Sequence, residues 1–382
     1  MQAVQDKEDT VSSAAAAQTP TSDVGGLTPG SARLSGSRSL TLPRLSRSRR
    51  EQLRRIPLRV AVRYVDPGRP RHVPATIQIE ATSKCNLRCP TCSHARERRS
   101  GDDLSGDVLQ SILDWLPFTP ASVRLSGVGE PLLNPEFFSL TDILAERGIP
   151  CDFITNGTLL TSQAGDHILS RSGISRVIIS CDGATKATFE SCRLGARFES
   201  WKRLVGDFAA EAKQRRDGTF GLSMSTTISR ANAGEIPQIL LLAADLGFDR
   251  VSFVGLEAVD EVAASLRLSP AEMCMVREEE LLDMAAALGI EVPGLKQSSW
   301  PRTIVRLSKK LRLPRCTQPW EGMFVRANGD VAPCNALFGS DRAGVMGSVF
   351  HESFWDVWLG ERFREFRHTK VCGTNPLCRA CG

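Results

Sequence analysis

The chain has 382 residues, of which 41% are hydrophobic, and a formal net charge of +5. This length and apolar content predict a folded core of two domains, whereas a nucleic-acid-binding protein would need a more concentrated basic face. The sequence has no run of about 18 apolar residues and no signal-peptide pattern. We therefore expect a cytoplasmic protein with no membrane segment and no nucleic-acid partner.

The first part of the chain, residues 1–55, is rich in Ser, Ala, Thr, Gly and Arg and has almost no apolar periodicity. Such a segment cannot bury enough surface to order itself, so it is predicted to be a disordered tail. The basic stretch at 44–50 leaves open a transit segment or a phosphate-contacting arm, although a solvated tail is the simpler interpretation. Residues 56–74 contain four prolines and are predicted to be a connector.

Residues 75–260 alternate between short apolar runs and helical patterns, which indicates βαβ units and a parallel sheet. The six predicted strands are Thr76–Glu80, Val123–Ser126, Cys151–Ile154, Val177–Ser180, Gly221–Thr226 and Val251–Val254. Helical patterns lie between them near 105–116, 134–147, 162–172, 198–215 and 234–246. We therefore predict an α/β fold, a partial (β/α)6 barrel of the TIM type, with functional residues at the carboxyl ends of its strands.

Residues 261–315 are predicted to be a bridging helix followed by a linker. The helix, at 269–288, opens with Ser269, Pro270 and Glu272, which is the spacing of a capping box with proline at the first helical position. We expect it to close the barrel or to lead into the next domain. Residues 289–315 have no clear periodicity and fit a linker.

The last section, 316–382, is Cys-rich and is predicted to be a separate small domain with a β-hairpin and a helix. The turn at Asn328 and Gly329, between short runs at 322–326 and 331–333, is a strong hairpin signal. The stretch 353–366 has the pattern of one amphipathic helix.

Eight of the twelve cysteines fall in clusters, which in an intracellular enzyme indicates metal binding and not a disulfide framework. Cys85, Cys89 and Cys92 follow the first predicted strand with C-x3-C-x2-C spacing. Three thiolates on one loop can hold three irons of a [4Fe–4S] cube and leave the fourth iron open. A zinc site completed by His94 is the structural alternative. The scattered cysteines are expected in the core: Cys151, Cys181, Cys192 and Cys274.

The cysteine loop resembles the cluster motif of the radical S-adenosylmethionine (SAM) enzymes, except at Thr91, where that family prefers an aromatic residue. The resemblance implies that the open iron chelates the amino and carboxylate groups of SAM. At the end of the second strand, Gly127, Gly129, Glu130 and Pro131 resemble the Gly-Gly-Glu-Pro motif of the same enzymes. The resemblance implies that this backbone and acid receive the methionyl ammonium, although a Gly-rich turn before proline is in itself an ordinary turn.

The ends of the next two strands resemble further segments of these enzymes. Asn156 follows the third strand and is a candidate cofactor contact, while Ser180 and Asp182 end the fourth and are candidates for the hydroxyl groups of the SAM ribose. Each could equally be a turn residue or a helix cap. Arg193 lies in a segment that resembles enzymes with an extra C-terminal cluster, and this implies a contact to SAM.

The C-terminal cysteines resemble the auxiliary-cluster domains called SPASM and twitch. Cys316, Gly329 and Cys334 match the opening pattern of these domains, and two more thiols stand at Cys378-x2-Cys381. The resemblance implies one auxiliary [4Fe–4S] cluster on four cysteines, with structural zinc as the alternative. Cys372 is a fifth candidate ligand or, if it is not a ligand, a candidate hydrogen-atom donor.

The resemblance covers residues 73–382 and implies a reaction class. A reduced cluster cleaves SAM to a 5′-deoxyadenosyl radical, which abstracts a hydrogen atom from the substrate, and an electron donor such as a flavodoxin or ferredoxin supplies the electron. For the substrate we expect a small molecule resembling an amino sugar, which would be oxidised or epimerised. The alternatives are maturation of a ribosomally made peptide, by cross-linking or epimerisation, and a non-catalytic Fe–S or zinc binding protein.

Overall fold

The computed structural model describes residues 68, 70, 72–92, 101–215, 220–256, 261–269, 272, 278–293, 316–337, 344–372, 374, 375 and 378. The predicted tail, most of the connector and the linker at 294–315 lie outside these residues. None of the described helices is long and apolar enough to cross a membrane.

The core of the structure is a partial barrel of six parallel strands that pair in chain order. All six predicted strands are confirmed, with small shifts at their ends: β1 Thr76–Ile79, β2 Val123–Leu125, β3 Cys151–Thr155, β4 Ile174–Ser180, β5 Gly221–Ile228 and β6 Arg250–Gly255. The α/β fold and the partial barrel predicted from the alternating pattern are therefore correct.

Helices connect the strands, and the five predicted helical patterns are found, four with shorter bounds and 198–215 with the same bounds. In chain order they are α1 Gly106–Trp115, α2 Phe137–Glu146, α3 Ser162–Leu169, α4 Lys186–Cys192, α5 Phe198–Arg215, α6 Ile236–Asp245, α7 Glu261–Leu266 and α8 Glu278–Ala287. The sequence did not predict α4 as a separate helix. It is a short helix capped by Thr185, whose hydroxyl accepts a hydrogen bond from Thr188 N–H.

The two faces of the sheet differ in chemistry because successive strand residues point to opposite sides. One face is apolar and packs in the core; it includes Ile77, Val123, Phe153 and Val177, which are almost fully buried. The alternate positions are mostly polar; Arg124 and Asp152 among them are partly exposed, whereas Gln78 and Ser180 are buried. The polar face is therefore the inner face of the partial barrel, where a substrate can be enclosed.

The C-terminal hairpin is part of the same sheet, which the prediction of a separate domain did not anticipate. β7, Gly322–Val325, pairs in parallel with β1, so Val325 lies opposite Ile79. β8, Asp330–Ala332, and β9, Gly347–Ser348, continue the sheet in antiparallel order, and the described residues form nine strands. The predicted turn is confirmed, because Gly329 N–H donates to the Arg326 carbonyl at 2.9 Å.

The predicted single helix at 353–366 is wrong in detail. The structure has a short α9, Gln318–Glu321, before the hairpin, and then two helices after it, α10 Phe354–Trp358 and α11 Glu361–Cys372. Gly360 separates the last two, and a Cβ there would lie 1.9 Å from the Asp356 carbonyl oxygen. Trp358 of α10 contacts Phe354 in its own helix and Phe363 in α11, so the apolar pattern continues across the break.

The predicted capping box is confirmed. Ser269 N–H donates to the Glu272 carboxylate at 2.6 Å, and Glu272 N–H donates back to the Ser269 hydroxyl at 3.3 Å. Hydrogen bonds to its carboxylate from Ser269 and from the Arg230 guanidinium lower the pKa of Glu272 to about 2. Most of the first half of the predicted helix lies outside the described residues.

Candidate active site

The three predicted cluster cysteines lie on one loop that follows β1. Cys85, Cys89 and Cys92 are partly exposed, and none of them forms a disulfide. Two hydrogen bonds shape the loop: Leu87 N–H donates to the Cys85 sulfur at 3.5 Å, and Cys92 N–H donates to the Cys89 carbonyl at 3.0 Å. Burial raises the pKa of Cys85 to about 11 and also raises the pKa of Cys89. Iron binding at these thiols therefore has to displace their protons.

The glycine turn after β2 packs directly on this cysteine loop. A Cβ on Gly129 would lie 2.2 Å from the Thr82 carbonyl oxygen. A Cβ on Gly127 would lie 2.4 Å from Glu80 Cγ. Pro131, the last residue of the motif, is buried and begins a short 3₁₀ turn. The glycines were predicted to let the backbone approach a ligand, and this stays a prediction. Within the protein, Gly129 approaches the backbone of the cysteine loop and Gly127 approaches the Glu80 side chain, so a side chain at either position would force these groups apart.

Glu130 is a buried carboxylate that braces this turn, since only 2% of its surface is exposed. Its N–H donates to the Lys84 carbonyl at 2.7 Å. Its carboxylate accepts hydrogen bonds from the Thr155 hydroxyl and from Asn156 N–H, both at 2.7 Å, and from Leu132 N–H at 3.3 Å. Burial raises the pKa of Glu130 despite these donors. The acid thus joins the glycine turn to the end of β3, and its predicted contact to the methionyl ammonium stays a prediction.

Asn156 connects the end of β3 to the cysteine loop. Its amide donates to the Asn86 side-chain oxygen at 2.8 Å, and its own oxygen accepts from the Thr158 N–H and hydroxyl at 2.9 and 2.6 Å. Asn86 completes a ring of hydrogen bonds by donating to the Thr158 hydroxyl at 2.8 Å. Trp201 fixes the backbone here by donating from its indole to the Asn156 carbonyl at 3.0 Å. Asn156 therefore orients the loop that carries the cysteines.

Asp182 and Arg193 form a buried ion pair at 2.8 Å. The second carboxylate oxygen of Asp182 accepts from Thr227 N–H at 2.7 Å. Burial acts to lower the pKa of Arg193, but Asp182 and Cys89 outweigh it and raise the pKa, so the guanidinium is charged. Its Nε atom is buried and has no hydrogen-bond partner among the described residues. One donor of Arg193 is thus left for a ligand beside Cys89.

Ser180 ends β4 on the polar face, and 8% of its surface is exposed. The following residue, Cys181, is buried, and burial raises its pKa to about 12. Cys151 and Cys192 are buried as well, so the predicted core placement of these three cysteines is confirmed. Cys274 lies outside the described residues.

The described auxiliary cysteines lie on three separate segments of the C-terminal section. Cys316 precedes α9, Cys334 follows β8, and Cys378 lies beyond α11. Cys316 is close enough to Cys378 to influence its pKa, which burial raises further. Cys334 and Val128 of the glycine turn both pack against a small apolar cluster formed by Phe324 and Ala332. The predicted fourth ligand, Cys381, and the side chain of Cys372 lie outside the described residues.

The residues present fit an iron–sulfur cluster and SAM. Across the described ranges, no three His, Cys, Asp or Glu side chains converge on one point that could hold a single metal ion, but cluster thiolates bind separate irons and need not converge. Three thiols lie on one loop, a guanidinium beside Cys89 can balance thiolate charge, and the buried Arg193 Nε is an unused donor. This donor set suits a thiolate-held cluster with a polar ligand next to it.

The structure also brings to the candidate site three residues that the sequence analysis did not single out. Glu80 and Asn86 contact the motifs on either side of the cysteines, and Thr158 closes the hydrogen-bond ring around Asn156. A charged residue at the end of an apolar strand was a visible signal for Glu80. Nothing in the sequence indicated the partner of Asn86, which is 72 positions away.

A parallel partial barrel with three cysteines on its first loop, next to a glycine turn, has the architecture of a radical SAM enzyme. Two family models match the chain: the radical SAM superfamily over residues 79–211, and the SPASM iron–sulfur cluster-binding domain over residues 316–382. The chain therefore belongs to the radical SAM superfamily and carries a C-terminal SPASM domain. Its cofactors are accordingly a [4Fe–4S] cluster, SAM and auxiliary iron–sulfur chemistry in the SPASM domain.

Curated relatives match over most of their length. A cofactor-modifying protein for tungsten-containing aldehyde ferredoxin oxidoreductase from Pyrococcus furiosus is 25% identical, over 80% of this chain and 86% of the relative. An AdoMet-dependent heme synthase from Methanosarcina barkeri is 25% identical, over 81% and 91%. A PqqA peptide cyclase from Bradyrhizobium diazoefficiens is 25% identical, over 81% and 79%.

A solved structure has the same fold. SuiB of Streptococcus suis, bound to its precursor peptide SuiA, superposes with a TM-score of 0.62 at 18% identity, covering 84% of this chain and 73% of SuiB. At that identity the likeness supports the fold alone.

Proposed function

We propose that this chain is a radical SAM maturase that modifies a ribosomally made peptide. The observation that carries the proposal is the similarity to PqqA peptide cyclases along most of both chains. This favours the peptide alternative over the small-molecule substrate that we expected from the sequence. The polar inner face of the partial barrel supports it, because an extended peptide segment needs hydrogen-bonding partners for its backbone.

Cys85, Cys89 and Cys92 are the proposed ligands of the SAM-binding cluster. When bound, the cluster and SAM together supply a 5′-deoxyadenosyl radical that removes a hydrogen atom from the substrate. The chain's own contribution is to hold these groups and exclude water. Asn86 and Asn156 fix the loop that carries the cysteines, and Cys85 and Cys89 pack partly against the apolar core, which covers that side of the loop.

For SAM itself, we assign the polar groups at the carboxyl ends of the strands. Arg193 offers its unpartnered Nε–H to an acceptor on SAM, while Asp182 holds the guanidinium in place. Ser180 offers a hydroxyl to the ribose. The Gly127–Pro131 turn, braced by Glu130, presents backbone groups to the methionyl end. Asn156 acts by orienting the cysteine loop.

Residues 316–382 are the proposed auxiliary-cluster domain and 75–260 the barrel core, joined by 261–315. Cys316, Cys334, Cys378 and Cys381 are the proposed ligands of one auxiliary [4Fe–4S] cluster, which would exchange an electron with the substrate. Cys372 remains a candidate hydrogen-atom donor. Because the chemistry needs an external electron, we also propose a flavodoxin or ferredoxin partner and a cytoplasmic location.

A second candidate function is modification of a small molecule. The similarity to AdoMet-dependent heme synthase favours it, since that relative is named for a non-peptide product. The two candidates make different demands on the inner face of the barrel: a peptide has to enter as an extended chain, whereas a small molecule can be enclosed completely.

The enzyme class is tested first. Anaerobically reconstituted protein is reduced and given SAM, and 5′-deoxyadenosine is measured against a Cys85→Ala control. Product above that control is expected. The absence of this product would indicate a non-catalytic iron–sulfur or zinc binding protein.

The substrate class is tested next, with a synthetic peptide encoded by a short reading frame beside the gene. A cross-link gives a mass loss equal to two hydrogen atoms. An epimerisation leaves the mass unchanged in ordinary water and adds the mass difference of one deuterium for hydrogen in heavy water. No change in the peptide, together with turnover of a low-mass metabolite fraction, would reverse the order of the two candidates.

A further inference from the structure

Glu80 is a fully buried carboxylate at the carboxyl end of β1, just before the cysteine loop. A buried charge is unfavourable unless donors surround it, so its partners indicate why it is there. One carboxylate oxygen accepts from Val128 N–H at 3.3 Å, and the other accepts from Ala327 N–H at 3.3 Å. Its side-chain stem fills the space beside Gly127.

The two N–H groups belong to different halves of the protein. Val128 lies in the glycine turn of the radical SAM domain, and Ala327 lies in the hairpin turn of the SPASM domain. Because β1 and β7 run parallel and adjacent, their carboxyl ends meet at Glu80, whose own N–H donates to the Val325 carbonyl at 2.8 Å.

The auxiliary site joins the same contact. Cys334 follows the hairpin strand β8 and packs against the same small apolar cluster, Phe324 and Ala332, as Val128 does. A displacement of the hairpin turn would therefore move the glycine turn through Glu80. A displacement of the glycine turn would in the same way change the packing around Cys334. No other described acid bridges these two turns.

We infer that Glu80 is a positioning residue that couples the SAM site to the auxiliary cluster site. It holds the glycine turn and the SPASM hairpin in one geometry, so that a change in the hairpin alters SAM binding. This inference rests on the proposed roles of the Gly127–Pro131 turn and of Cys334. A merely structural acid would change the stability of the protein and leave the communication between the sites unaffected.

The test is a double-mutant cycle between Glu80→Gln and Ala327→Pro. The glutamine has the same shape but presents an N–H to one of the two backbone donors. Proline removes only the Ala327 N–H, and it suits the second position of the turn that Gly329 N–H closes onto the Arg326 carbonyl. The readouts are the dissociation constant of SAM, the iron content and the electron paramagnetic resonance spectrum of the reduced auxiliary cluster.

We expect full iron content in both variants and an altered auxiliary-cluster spectrum. SAM binding should weaken about tenfold for Glu80→Gln and about fivefold for Ala327→Pro, as for the loss of hydrogen bonds to a buried charge. The double variant should bind SAM no more weakly than Glu80→Gln alone, because both changes remove the same link. Glu136→Gln, which alters an exposed acid that accepts from Gly106 N–H, is the matched control and should match the wild type.

Additive effects, or SAM binding and spectra equal to wild type in the Ala327→Pro protein, would overturn the coupling. If Glu80→Gln does not fold, Ala327→Pro alone still tests the coupling between the two sites. Its change lies in the SPASM domain, whereas its main readout is the binding of SAM. A wild-type protein that binds no SAM would refute the proposed function itself, which is a different result from a SAM-binding wild type with unaffected variants.

Discussion

The Asp182 carboxylate lies 2.8 Å from the Arg193 guanidinium, and the pair is buried beside Cys89. Asp182 is itself fixed by Thr227 N–H, so the guanidinium is anchored to β5 through the acid. The backbone contributes as well, since Arg88 N–H donates to the Leu194 carbonyl at 2.9 Å and ties the cysteine loop to the segment after α4. The ion pair therefore presents the unpartnered Nε–H of Arg193 in a fixed direction.

Replacement of Arg193 by lysine should weaken SAM binding and leave the cluster in place. Lysine keeps the charge next to Asp182 but has no second donor in a fork. Loss of one hydrogen bond to a charged group corresponds to about a tenfold higher dissociation constant. Equilibrium binding of SAM to the reconstituted variant measures this, and iron content should equal that of the wild type.

The matched control is Arg197→Lys. Arg197 lies four residues further on, and its side chain is 82% exposed. The SAM affinity of the Arg197→Lys variant should equal that of the wild type. Equal SAM affinity of the Arg193→Lys variant and the wild type would remove Arg193 from the SAM site and leave it as a partner of Asp182 alone.

Cys89 and Cys192 are near each other and differ in predicted role, which makes them a test of the ligand assignment. With two [4Fe–4S] clusters the wild type should hold about eight irons, and Cys89→Ala should hold about four. Cys192→Ala should retain all of them, since Cys192 is a buried core residue at the end of α4. Iron and sulfide analysis after anaerobic reconstitution measures both. Loss of iron in the Cys192→Ala protein would contradict the assignment.

The local features of the fold and the site were predictable from the sequence. The strands could be predicted because short apolar runs alternate with helical patterns along the chain. The capping box at Ser269 and Glu272 depends only on residues three positions apart. The cysteine loop is a contiguous motif, so its spacing alone indicates an iron–sulfur site. These features are written in short windows of sequence.

Features that depend on distant pairs were not predictable. The pairing of β7 with β1 joins residues 246 positions apart, such as Thr76 and Gly322. It depends on an open sheet edge that no local pattern reveals. The contact of Glu80 with Ala327 spans 247 positions. The glycine turn was located correctly. The reason why position 129 needs glycine appears only in three dimensions, because a side chain there would collide with a carbonyl oxygen of the cysteine loop.

Replacement of Gly129 by alanine should separate the glycine turn from the cysteine loop. The new Cβ would lie 2.2 Å from a backbone carbonyl oxygen, which cannot rotate away as a side chain can. Overpacking of this kind costs about 2 kcal/mol of unfolding free energy or more, and we expect the loss of SAM cleavage with it. Chemical denaturation and a 5′-deoxyadenosine assay measure the two effects.

Gly234→Ala is the control for that change. Gly234 lies in a 3₁₀ turn, and a Cβ added there would have nothing within 4 Å, so the alanine should be neutral for stability and activity. A Gly129→Ala protein as stable and active as this control would show that the two loops move apart without consequence for the site.

Arg367 is a buried cation that braces the auxiliary domain. Its Nε–H donates to the Pro319 carbonyl at 2.7 Å, three residues after Cys316, and its Nη1 donates to the Trp358 carbonyl at 2.7 Å. The guanidinium also stacks on the rings of Trp358 and Phe363, at 4.3 and 4.5 Å. Burial lowers the pKa of Arg367 to about 9, which still leaves it charged at pH 7.

Arg367→Met should therefore destabilise the protein and loosen the auxiliary cluster. Methionine fills much of the space but removes the donor to three carbonyl oxygens, those of Pro319, Trp358 and Gly68, which together costs about 3 kcal/mol of unfolding free energy. The segment after Cys316 is then no longer held to α11, so auxiliary iron should be lost first, while SAM cleavage without substrate continues. Arg362→Met, on the exposed side of the same helix, should change neither the unfolding free energy nor the iron content. The opposite result is an Arg367 variant that keeps about eight irons and has the same unfolding free energy as the Arg362 variant. That result would show that the guanidinium does not hold the segment after Cys316 in place.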